Sequence, residues 1–252
     1  MKQNLIYVVC FYWQGERWQE EGMQYDEVGD EKFTRHLEAC APLDRELVCK
    51  YIDNLYKGIE KWSVHPFKFI CFTNDELEVN KNIELRSFEM VTKKGVLPRM
   101  WMFSEAAGLF GHQVLSLDID VVITGPLKDI MNYSGLYCVR KRWNPRQMHL
   151  PDGDIMSFQA GEKTQSMFWD PLIKDIKAAE QSTGGRERFW IEQSLRGKHW
   201  HDWDDFAPGQ VCSYKLHIKR TNQVLGNARI ISCHGNPRPH EIKEKWRLEN
   251  WK

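Results

Sequence analysis

The sequence predicts an α/β protein in which a mostly parallel β-sheet is flanked by helices within a single domain. Over the first 130 residues, short apolar runs rich in β-branched and aromatic side chains alternate with longer segments of helical periodicity. Alternation of this kind is typical of a parallel sheet with helices on both faces. A chain of 252 residues has the length for one large domain of this type.

Four segments of the first half are predicted strands. LIYVVCFYW at residues 5–13 is a continuous apolar run, which indicates a strand buried on both faces. FKFICFT at 67–73 and NIELRSF at 82–88 follow, and the fourth strand opens the stretch LSLDIDVVITGPL at 115–127. The polar, acidic segment from residue 14 to about 38 is predicted to be a long loop.

Two helices are predicted between these strands. Residues 42–62 carry apolar side chains at three- and four-residue steps, and Asp44 is placed to cap the helix start. Residues 97–111 open with Pro98 at a first helical position and close on Gly111.

The second half of the chain has a less regular pattern. We predict strands over residues 135–140, 211–218 and 228–234 and a helix over residues 188–197. The best candidate for a seam is RKRWNPRQMHLPDG, at residues 140–153, which divides the domain into halves at 1–140 and 141–252.

Charge and cysteine content narrow the possible functions and compartment. Lys and Arg number 35 and Asp and Glu number 35, so no global positive field favours nucleic acid. The seven cysteines include no CxxC pair, and several stand in apolar runs. Reduced, packed thiols are typical of a cytoplasmic protein.

Membrane contact is expected to be peripheral at most. No run approaches the roughly 20 apolar residues of a membrane span. The start of the chain lacks a small-residue cleavage site and has the pattern of a strand rather than a signal peptide. The tail at 241–252 places Trp246 and Trp251 among basic residues, so it either packs on the protein body or touches a membrane surface that holds a lipid-linked acceptor.

Two aspartates interrupt the apolar stretch at 115–127. Because side chains alternate along a strand, Asp118 and Asp120 are expected to project to one side near its carboxyl end, where parallel sheets bind ligands. Two buried carboxylates this close are unfavourable unless a proton or a cation neutralises them. Mg²⁺ or Mn²⁺ does so and leaves sites for phosphate oxygens. The structural alternative is that one aspartate caps a turn and the other forms a salt bridge.

The stretch QVLSLDIDVVITGPLKDI resembles the DxD region of GT-A-fold glycosyltransferases, above all the group of glycogenin, lipopolysaccharide galactosyltransferases and their bacterial and viral relatives. YIDNLYKGIEKW, PFKFICFTND and GVLPRMWMF match segments of those enzymes in the same order, and SYKLHI and ISCHGNPRPH match their closing strands and HGxPKP-type loop. The resemblance spans roughly residues 5–240. It implies a GT-A-type Rossmann-like fold with a nucleotide-sugar-binding half at 1–140 and an acceptor half at 141–252.

The resemblance also implies an activity and a metal site. It implies transfer of a hexosyl or pentosyl group from a nucleotide-diphosphate sugar, with a UDP-sugar favoured, to a glycan, lipid-linked or protein acceptor. Asp118 and Asp120 match the DxD, with Asp120 the firmer ligand and Asp118 reaching metal or ribose. His234 matches the third metal ligand, and an imidazole in the set favours Mn²⁺ over Mg²⁺. Arg238 and Arg99 stand where relatives commonly carry Lys, and Arg238 is expected to hold the diphosphate.

Side chains at two strand ends are candidates for the donor pocket. A base can stack on Phe11 or Tyr12, which stand beside Trp13 at the end of the first strand. Asn74 and Asp75 follow the second strand and can hydrogen-bond base or ribose. The alternative is an ordinary strand end and turn.

Four acids are candidates for the residue that meets the sugar. Asp152 and Asp154 fall where the resembled group has an Asn-Ser-type segment, so the sequence departs from that pattern there. Either Glu187 or Glu192, which precedes Gln193, corresponds to the Asp-Gln pair of the group. The closing motif resembles retaining enzymes and favours retention, whereas inversion would need a carboxylate base, for which Asp154 is the candidate.

Three other interpretations remain open at this point. A phosphatase or phosphotransferase of the haloacid-dehalogenase type also uses an apolar strand with DxD, although usually near the amino terminus and followed by Gly-Thr. A non-catalytic nucleotide-sugar-binding protein would share the fold. A zinc site from Cys212, Cys233, His234 and His240 is the third, although the spacing matches no usual zinc pattern.

Overall fold

The computed structural model describes residues 5–13, 43–93, 95–143, 145–219, 221, 224 and 226–252. The predicted loop at 14–38 lies outside the described residues, as does Cys40. The described strands are β1 (Ile6–Phe11), β2 (Phe67–Phe72), β3 (Ile83–Arg86), β4 (Gln113–Leu117), β5 (Val121–Ile123), β6 (Tyr137–Lys141), β7 (Pro151–Gln159), β8 (His201–Asp202), β9 (Val211–Ser213) and β10 (Ile230–Ser232).

The described α-helices are α1 (Arg45–Trp62), α2 (Lys128–Met131), α3 (Glu162–Thr164), α4 (Asp170–Lys174), α5 (Ile176–Thr183), α6 (Glu187–Leu195), α7 (Trp203–Phe206) and α8 (Lys245–Asn250). Tighter 3₁₀ turns cover Leu97–Phe103, Glu105–Ala107, Pro145–Gln147 and Pro239–Glu241, and π-helical turns cover Gln165–Trp169 and Tyr214–Ile218.

A seven-stranded sheet forms the centre of the fold, and the α/β prediction is confirmed. Its strand order is β3-β2-β1-β4-β7-β6-β8, and β7 is antiparallel to both of its neighbours while the other pairs are parallel. A smaller sheet has the order β5-β10-β9. The chain therefore passes from the large sheet to the small one in residues 118–120, which lie between the end of β4 and the start of β5.

Strand β1 is buried on both faces, as its continuous apolar run predicts. Val8 and Cys10 pack on the face that α1 covers, whereas Val9 and Phe11 pack on the opposite face. Helix α1 presents one apolar stripe to the sheet, and its start is capped by Asp44, whose carboxylate accepts the Leu47 N–H at 2.7 Å. Both features of α1 agree with the sequence prediction.

The predicted helix at 97–111 is instead two 3₁₀ segments. It begins near Pro98 as expected, but the backbone turns extended at Ser104, whose hydroxyl caps the next turn by accepting the Ala107 N–H at 3.2 Å. The second segment ends at Gly108, which is left-handed with φ 66°, and not at Gly111. All residues of Leu97–Phe103 are buried, so tertiary packing outweighs helical propensity here.

Two further differences concern the second half. The predicted strand at 211–218 ends at Ser213 and continues as a π-helical turn, because the Ser213 hydroxyl accepts the Leu216 N–H and caps that turn. Strand β7, with nine residues, has no counterpart in the sequence prediction, since its Pro and Gly residues are typical of a loop.

The carboxyl-terminal tail packs on the protein body. Trp251 is 2 % exposed and lies edge-on to Tyr51, with ring centroids 5.1 Å apart. The Lys252 N–H donates to the Asn54 side chain at 2.6 Å. Among the described residues, no helix combines the length and hydropathy required to cross the bilayer. The six described cysteines are free thiols, and all except the half-buried Cys49 are buried.

Candidate active site

The two DxD aspartates lie in the turn that links the two sheets. Strand β4 ends at Leu117, so the expectation that Asp118 and Asp120 project from one strand by alternation is wrong. The Val121 N–H instead closes a turn onto the Asp118 carbonyl at 3.4 Å, and the Cys233 N–H fixes the Asp120 carbonyl at 3.2 Å. The expected position at the carboxyl end of a central strand is nevertheless confirmed, and it is where α/β sheets bind ligands.

The antiparallel strand β7 brings a second pair of acids to the same edge. Its amino-terminal end lies beside the carboxyl end of β4, and the Asp118 N–H donates to the Asp154 carbonyl at 3.1 Å. Asp152 and Asp154 are separated by one residue of β7 and are both ion-paired to Arg140. The structure thus brings two predicted catalytic acids to the DxD turn.

Arg99 connects the DxD turn to helix α6. Its guanidinium contacts the Asp118 carboxylate, and it also lies 3.3 Å from Glu187 Oε2 and 2.8 Å from Ser116 Oγ. The Arg99 side chain is only 5 % exposed, whereas that of Asp118 is 40 % exposed. A buried guanidinium therefore orients a carboxylate that still faces solvent, as a ligand-binding group must.

Arg140 holds the second pair of acids. Its Nε lies 2.8 Å from Asp154 Oδ1 and its Nη2 lies 3.0 Å from Asp152 Oδ2. The Ser232 hydroxyl from β10 donates to the other oxygen of Asp154 at 3.3 Å. Burial alone would raise the pKa of Asp154, but the Arg140 guanidinium outweighs it and lowers that pKa. Asp154 is therefore an ionised, fully bonded carboxylate.

Negative charge exceeds positive charge at this edge of the sheet. Five acids converge there: Asp118, Asp120, Asp152, Asp154 and Glu187. Arg99 and Arg140 form ion pairs with four of them, Asp118, Glu187, Asp152 and Asp154. Such a surplus is relieved either by protons or by a bound cation.

Two of these acids have oxygens with no hydrogen-bond partner in the part of the chain that the structure describes. Asp120 Oδ1 is buried and unpartnered, and burial together with the nearby Asp154 raises the pKa of Asp120 to about 6. Glu187 Oε1 is likewise unpartnered, and burial raises the pKa of Glu187 to about 7 despite Arg99. Unsatisfied buried oxygens mark positions where a ligand gains interaction energy.

His234 lies just after β10 and joins the same region from the small sheet. Its Nε2 is 3.0 Å from Ser213 Oγ, and its ring stacks on Trp143 with centroids 5.2 Å apart. Burial lowers the pKa of His234 to about 4, so the imidazole is neutral at physiological pH. Neutral imidazole is the form that binds metals.

No three His, Cys, Asp or Glu side chains of the described residues converge in an arrangement ready to hold a metal ion. Asp118 is directed to Arg99, and His234 is directed to Ser213. The zinc interpretation receives no support either, since Cys212 donates to the Gly209 carbonyl at 3.3 Å and His240 bonds the Tyr51 hydroxyl at 2.7 Å.

The donor-pocket candidates divide into two kinds. Phe11 is 8 % exposed and stacks on Phe72 at 4.8 Å, so its ring belongs to the core. The Asn74 amide makes two hydrogen bonds to the Phe88 backbone, at 3.0 and 3.1 Å, and so fixes a loop.

The other donor candidates lie half-buried at the ends of β1 and β2. Tyr12 pairs its backbone N–H with the Phe72 carbonyl at 3.0 Å, and Trp13 packs edge-on against Phe88 at 6.0 Å. The Asp75 N–H donates to Thr73 Oγ1 at 3.1 Å.

Two remaining candidates lie at the margins of the acidic site. Glu192 pairs with Arg142 at 2.8 Å rather than with Arg99 or Arg140. The Arg238 N–H donates to Glu241 at 2.6 Å, and the Arg238 charge acts on Asp120 to lower its pKa. Glu187, rather than Glu192, therefore reaches the DxD turn.

Sequence reasoning missed several residues that build the site. Arg140 has a signal of the same kind as the DxD, because it is a charge within the apolar strand GLYCVR. Trp143, Ser213 and Ser232 have no such signal, since they reach the site only through the packing of the small sheet on the large one.

Comparisons with known proteins identify the fold. No family model matches the sequence, and no curated protein matches it. Among solved structures, the glycosyltransferase GlyE of Streptococcus pneumoniae TIGR4 is similar over 99 % of this chain, with a TM-score of 0.55 and 10 % identity. Its apo form is similar over 97 %, with a TM-score of 0.58 and 11 % identity. This chain spans 59 % of the length of the GlyE chains, and the likeness is one of fold.

Proposed function

We propose that this protein is a metal-dependent glycosyltransferase that moves a sugar from a nucleotide-diphosphate donor, a UDP-sugar, to a hydroxyl of a carbohydrate-containing acceptor. The observation that carries the proposal is the surplus of carboxylates around Asp120, whose buried Oδ1 is unpartnered among the described residues. It lies at the carboxyl end of a central strand in a fold like that of a solved glycosyltransferase. A diphosphate bound through a cation matches that charge.

The side chains available as metal ligands have the oxygen and nitrogen atoms that Mn²⁺ or Mg²⁺ can bind. Asp120 offers an unpartnered oxygen, and Asp118 and the neutral His234 are its proposed companions. The cation, when bound, neutralises charge on the leaving diphosphate. Arg238, whose charge acts on Asp120, is proposed to bind the same diphosphate.

The sugar is proposed to lie against Arg99, Asp118 and Glu187. These side chains form one connected group, and the Glu187 oxygen Oε1 has no partner among the described residues. Carboxylates close to the sugar stabilise the positive charge of a transition state with oxocarbenium character. Glu187 is preferred to Glu192 because Arg142 already engages Glu192.

The bonding of Asp154 favours retention over inversion. An inverting enzyme needs a carboxylate that takes the acceptor proton. Asp154 is bonded to Arg140 and Ser232, and Arg140 lowers its pKa, so it is a weak base. Its proposed role is to orient Arg140 and the β10 edge. The anomeric configuration of the product, read by NMR, distinguishes the two outcomes.

The test is nucleotide-diphosphate release from a panel of UDP- and GDP-sugars with Mn²⁺, combined with thermal shifts. We expect UDP and Mn²⁺ together to raise the melting temperature, and we expect slow release of UDP from one donor. Asp120→Asn should remove the metal-dependent shift, whereas Asp170→Asn, at an exposed position on α4, should retain it.

Two results would refute the proposal. One is an Asp120→Asn variant that binds UDP with unchanged metal dependence. The other is hydrolysis of simple phosphate esters without any use of nucleotide-sugars, the behaviour of a phosphatase. Metal-dependent binding of UDP without any turnover would instead identify a nucleotide-sugar-binding protein.

A further inference from the structure

One hydrogen bond ties helix α1 to the segment that carries His234 and Arg238. The Tyr51 hydroxyl of α1 lies 2.7 Å from His240 Nδ1. The Tyr51 side chain is fully buried in the apolar core that α1 shares with the small sheet. We term residues 234–238 the closing loop, and this bond holds the chain to the protein body two residues past its end.

The closing loop is held at both ends and exposed in its middle. Just before it, the Cys233 N–H donates to the Asp120 carbonyl at 3.2 Å, which joins the loop to the DxD turn. Gly235 and Asn236 are exposed, and the chain is buried again at Pro239. The closing loop is therefore a short span between two anchors, and its position depends on both of them.

The backbone around the second anchor has support of its own from the carboxyl-terminal tail. The Arg247 guanidinium donates to the His240 carbonyl at 3.3 Å and also to the Ile242 carbonyl. Trp251 packs edge-on against the Tyr51 ring, with centroids 5.1 Å apart. Loss of the Tyr51 hydroxyl alone would therefore free the His240 side chain while these contacts keep the tail folded.

The second anchor lies close to the group that is proposed to bind the diphosphate. Arg238 precedes His240 by two residues, and the Arg238 N–H donates to Glu241 at 2.6 Å, so the backbone here is one tight turn. Burial raises the pKa of Tyr51, the Asp120 charge raises it further and the Arg238 charge lowers it. The Tyr51 hydroxyl therefore keeps its proton and remains available to bond His240.

We infer that Tyr51 is a positioning residue, whose hydrogen bond to His240 places Arg238 for the donor diphosphate. This inference rests on the proposed function, because it names the support of the proposed diphosphate ligand. Binding of phosphate oxygens by a guanidinium depends on its geometry, and a displacement of about 1 Å at a site group can have a large effect. Tyr51 itself touches neither donor nor acceptor and acts through His240.

The test compares two tyrosines of the same helix. Tyr51→Phe deletes the hydroxyl and keeps the ring against Trp251. Tyr56→Phe is the matched control, because the Tyr56 hydroxyl donates to Glu60 at 2.6 Å and its ring packs against Phe69 of β2, away from the closing loop. Binding of UDP with Mn²⁺ and of uridine, which lacks the diphosphate, is measured for the full chain by ligand-observed NMR.

We expect Tyr51→Phe to weaken UDP binding by about tenfold and to leave uridine binding unchanged, because only UDP has the diphosphate that Arg238 is proposed to bind. Tyr56→Phe should bind both ligands as the parent does. An equal loss for UDP and uridine would indicate a general structural role and overturn the inference. A Tyr51→Phe variant with parental UDP affinity overturns it as well.

Two variants of His240 test the other partner of the bond. An asparagine places a polar atom close to where His240 Nδ1 lies and can keep the bond to Tyr51, whereas an alanine cannot. We expect His240→Asn to retain most of the UDP affinity and His240→Ala to lose as much as Tyr51→Phe does. The double variant Tyr51→Phe with His240→Ala should lose little more, and fully additive losses would overturn the inference.

A measurement without nucleotide separates this outcome from that of the proposed function. Amide hydrogen exchange in residues 238–242 should be about tenfold faster in Tyr51→Phe than in the parent, and it should be unchanged in Tyr56→Phe. Unchanged exchange in Tyr51→Phe, with a parent that binds UDP and Mn²⁺, overturns the inference and leaves the transferase standing. Failure of every nucleotide-sugar to release its nucleotide diphosphate refutes the transferase, whatever the exchange rates are.

Discussion

The imidazole of His234 lies nearly parallel to the indole of Trp143, with ring centroids 5.2 Å apart and planes inclined by 24°. The Arg140 guanidinium lies 3.5 Å from the centroid of the Trp143 ring, and Arg140 in turn holds Asp154. Successive contacts between Asp154, Arg140, Trp143 and His234 therefore link the large sheet to the loop that follows β10. Trp143 contacts both Arg140 and His234, so its ring is one of the surfaces against which the imidazole packs.

With His234 as a ligand of the proposed metal site, Trp143→Ala should weaken Mn²⁺ binding by about tenfold, because the imidazole loses a surface that orients it. Trp143→Phe keeps a flat ring and should retain most of the affinity. Mn²⁺ titration of the UDP complex, followed by thermal shift, measures this. An alanine variant with parental Mn²⁺ affinity would show that Ser213 alone positions His234.

Asp120→Asn should change how stability depends on pH in the metal-free protein. The folded-state pKa of Asp120 is raised from 3.8 to about 6, so its favourable contribution is present below pH 3.8 and is lost as pH rises through 6. The gain of the variant over the parent should therefore grow between pH 4 and 7, by roughly 3 kcal/mol at most. Urea unfolding in EDTA measures it, and parallel curves for the two proteins would contradict the buried-carboxylate assignment.

Gly153→Ala should displace Glu187. A Cβ at this position would lie 2.2 Å from Ile191 Cδ1 and 2.6 Å from Glu187 Oε1, and so the ends of both side chains must move. We expect donor turnover to fall by about a hundredfold, since ångström-scale displacement of a site group has that effect. Gly161→Ala, where the added carbon meets nothing within 4 Å, is the control. Unchanged turnover in Gly153→Ala would exclude Glu187 from the sugar site.

Trp251→Ala should lower the free energy of unfolding by about 3–5 kcal/mol, because it removes a 2 % exposed indole from its contact with Tyr51. Leu248→Ala, at a side chain that is 50 % exposed, should change it by less than about 0.5 kcal/mol. Denaturant unfolding compares the two variants. Vesicle co-sedimentation should be the same for both variants, and a loss of vesicle binding in Trp251→Ala would restore the membrane interpretation of the tail.

The parts of the fold that the sequence predicts well are those in which local pattern and tertiary packing agree. The continuous apolar run of β1 has one explanation, burial on both faces, and the structure confirms it. At Asp118 and Asp120 the predicted position is right and the predicted reason is wrong. The residues that follow, Val121–Ile123, belong to another sheet, and alternation within a segment cannot reveal a change of sheet.

The missed parts of the site depend on pairing between distant segments. Arg140 meets Asp152 because β6 and β7 are antiparallel neighbours in that register. The start of β7 has Pro151 and Gly153, which locally favour a turn, so the strand and its pairing stay hidden in the sequence. Trp143 reaches His234 from a position 91 residues away, and nothing local in the chain marks that contact.

The β6–β7 hairpin has a consequence for how this protein can diversify. Its last paired residues, Arg140 with Asp152 and Lys141 with Pro151, fix the geometry of the acids whatever the intervening segment contains. Insertions or substitutions between residues 145 and 150 would alter the surface beside the acidic site while Trp143 and the charged pairs keep their positions. Related chains can therefore change what this surface contacts without rebuilding the acids, as loops on a rigid scaffold commonly allow.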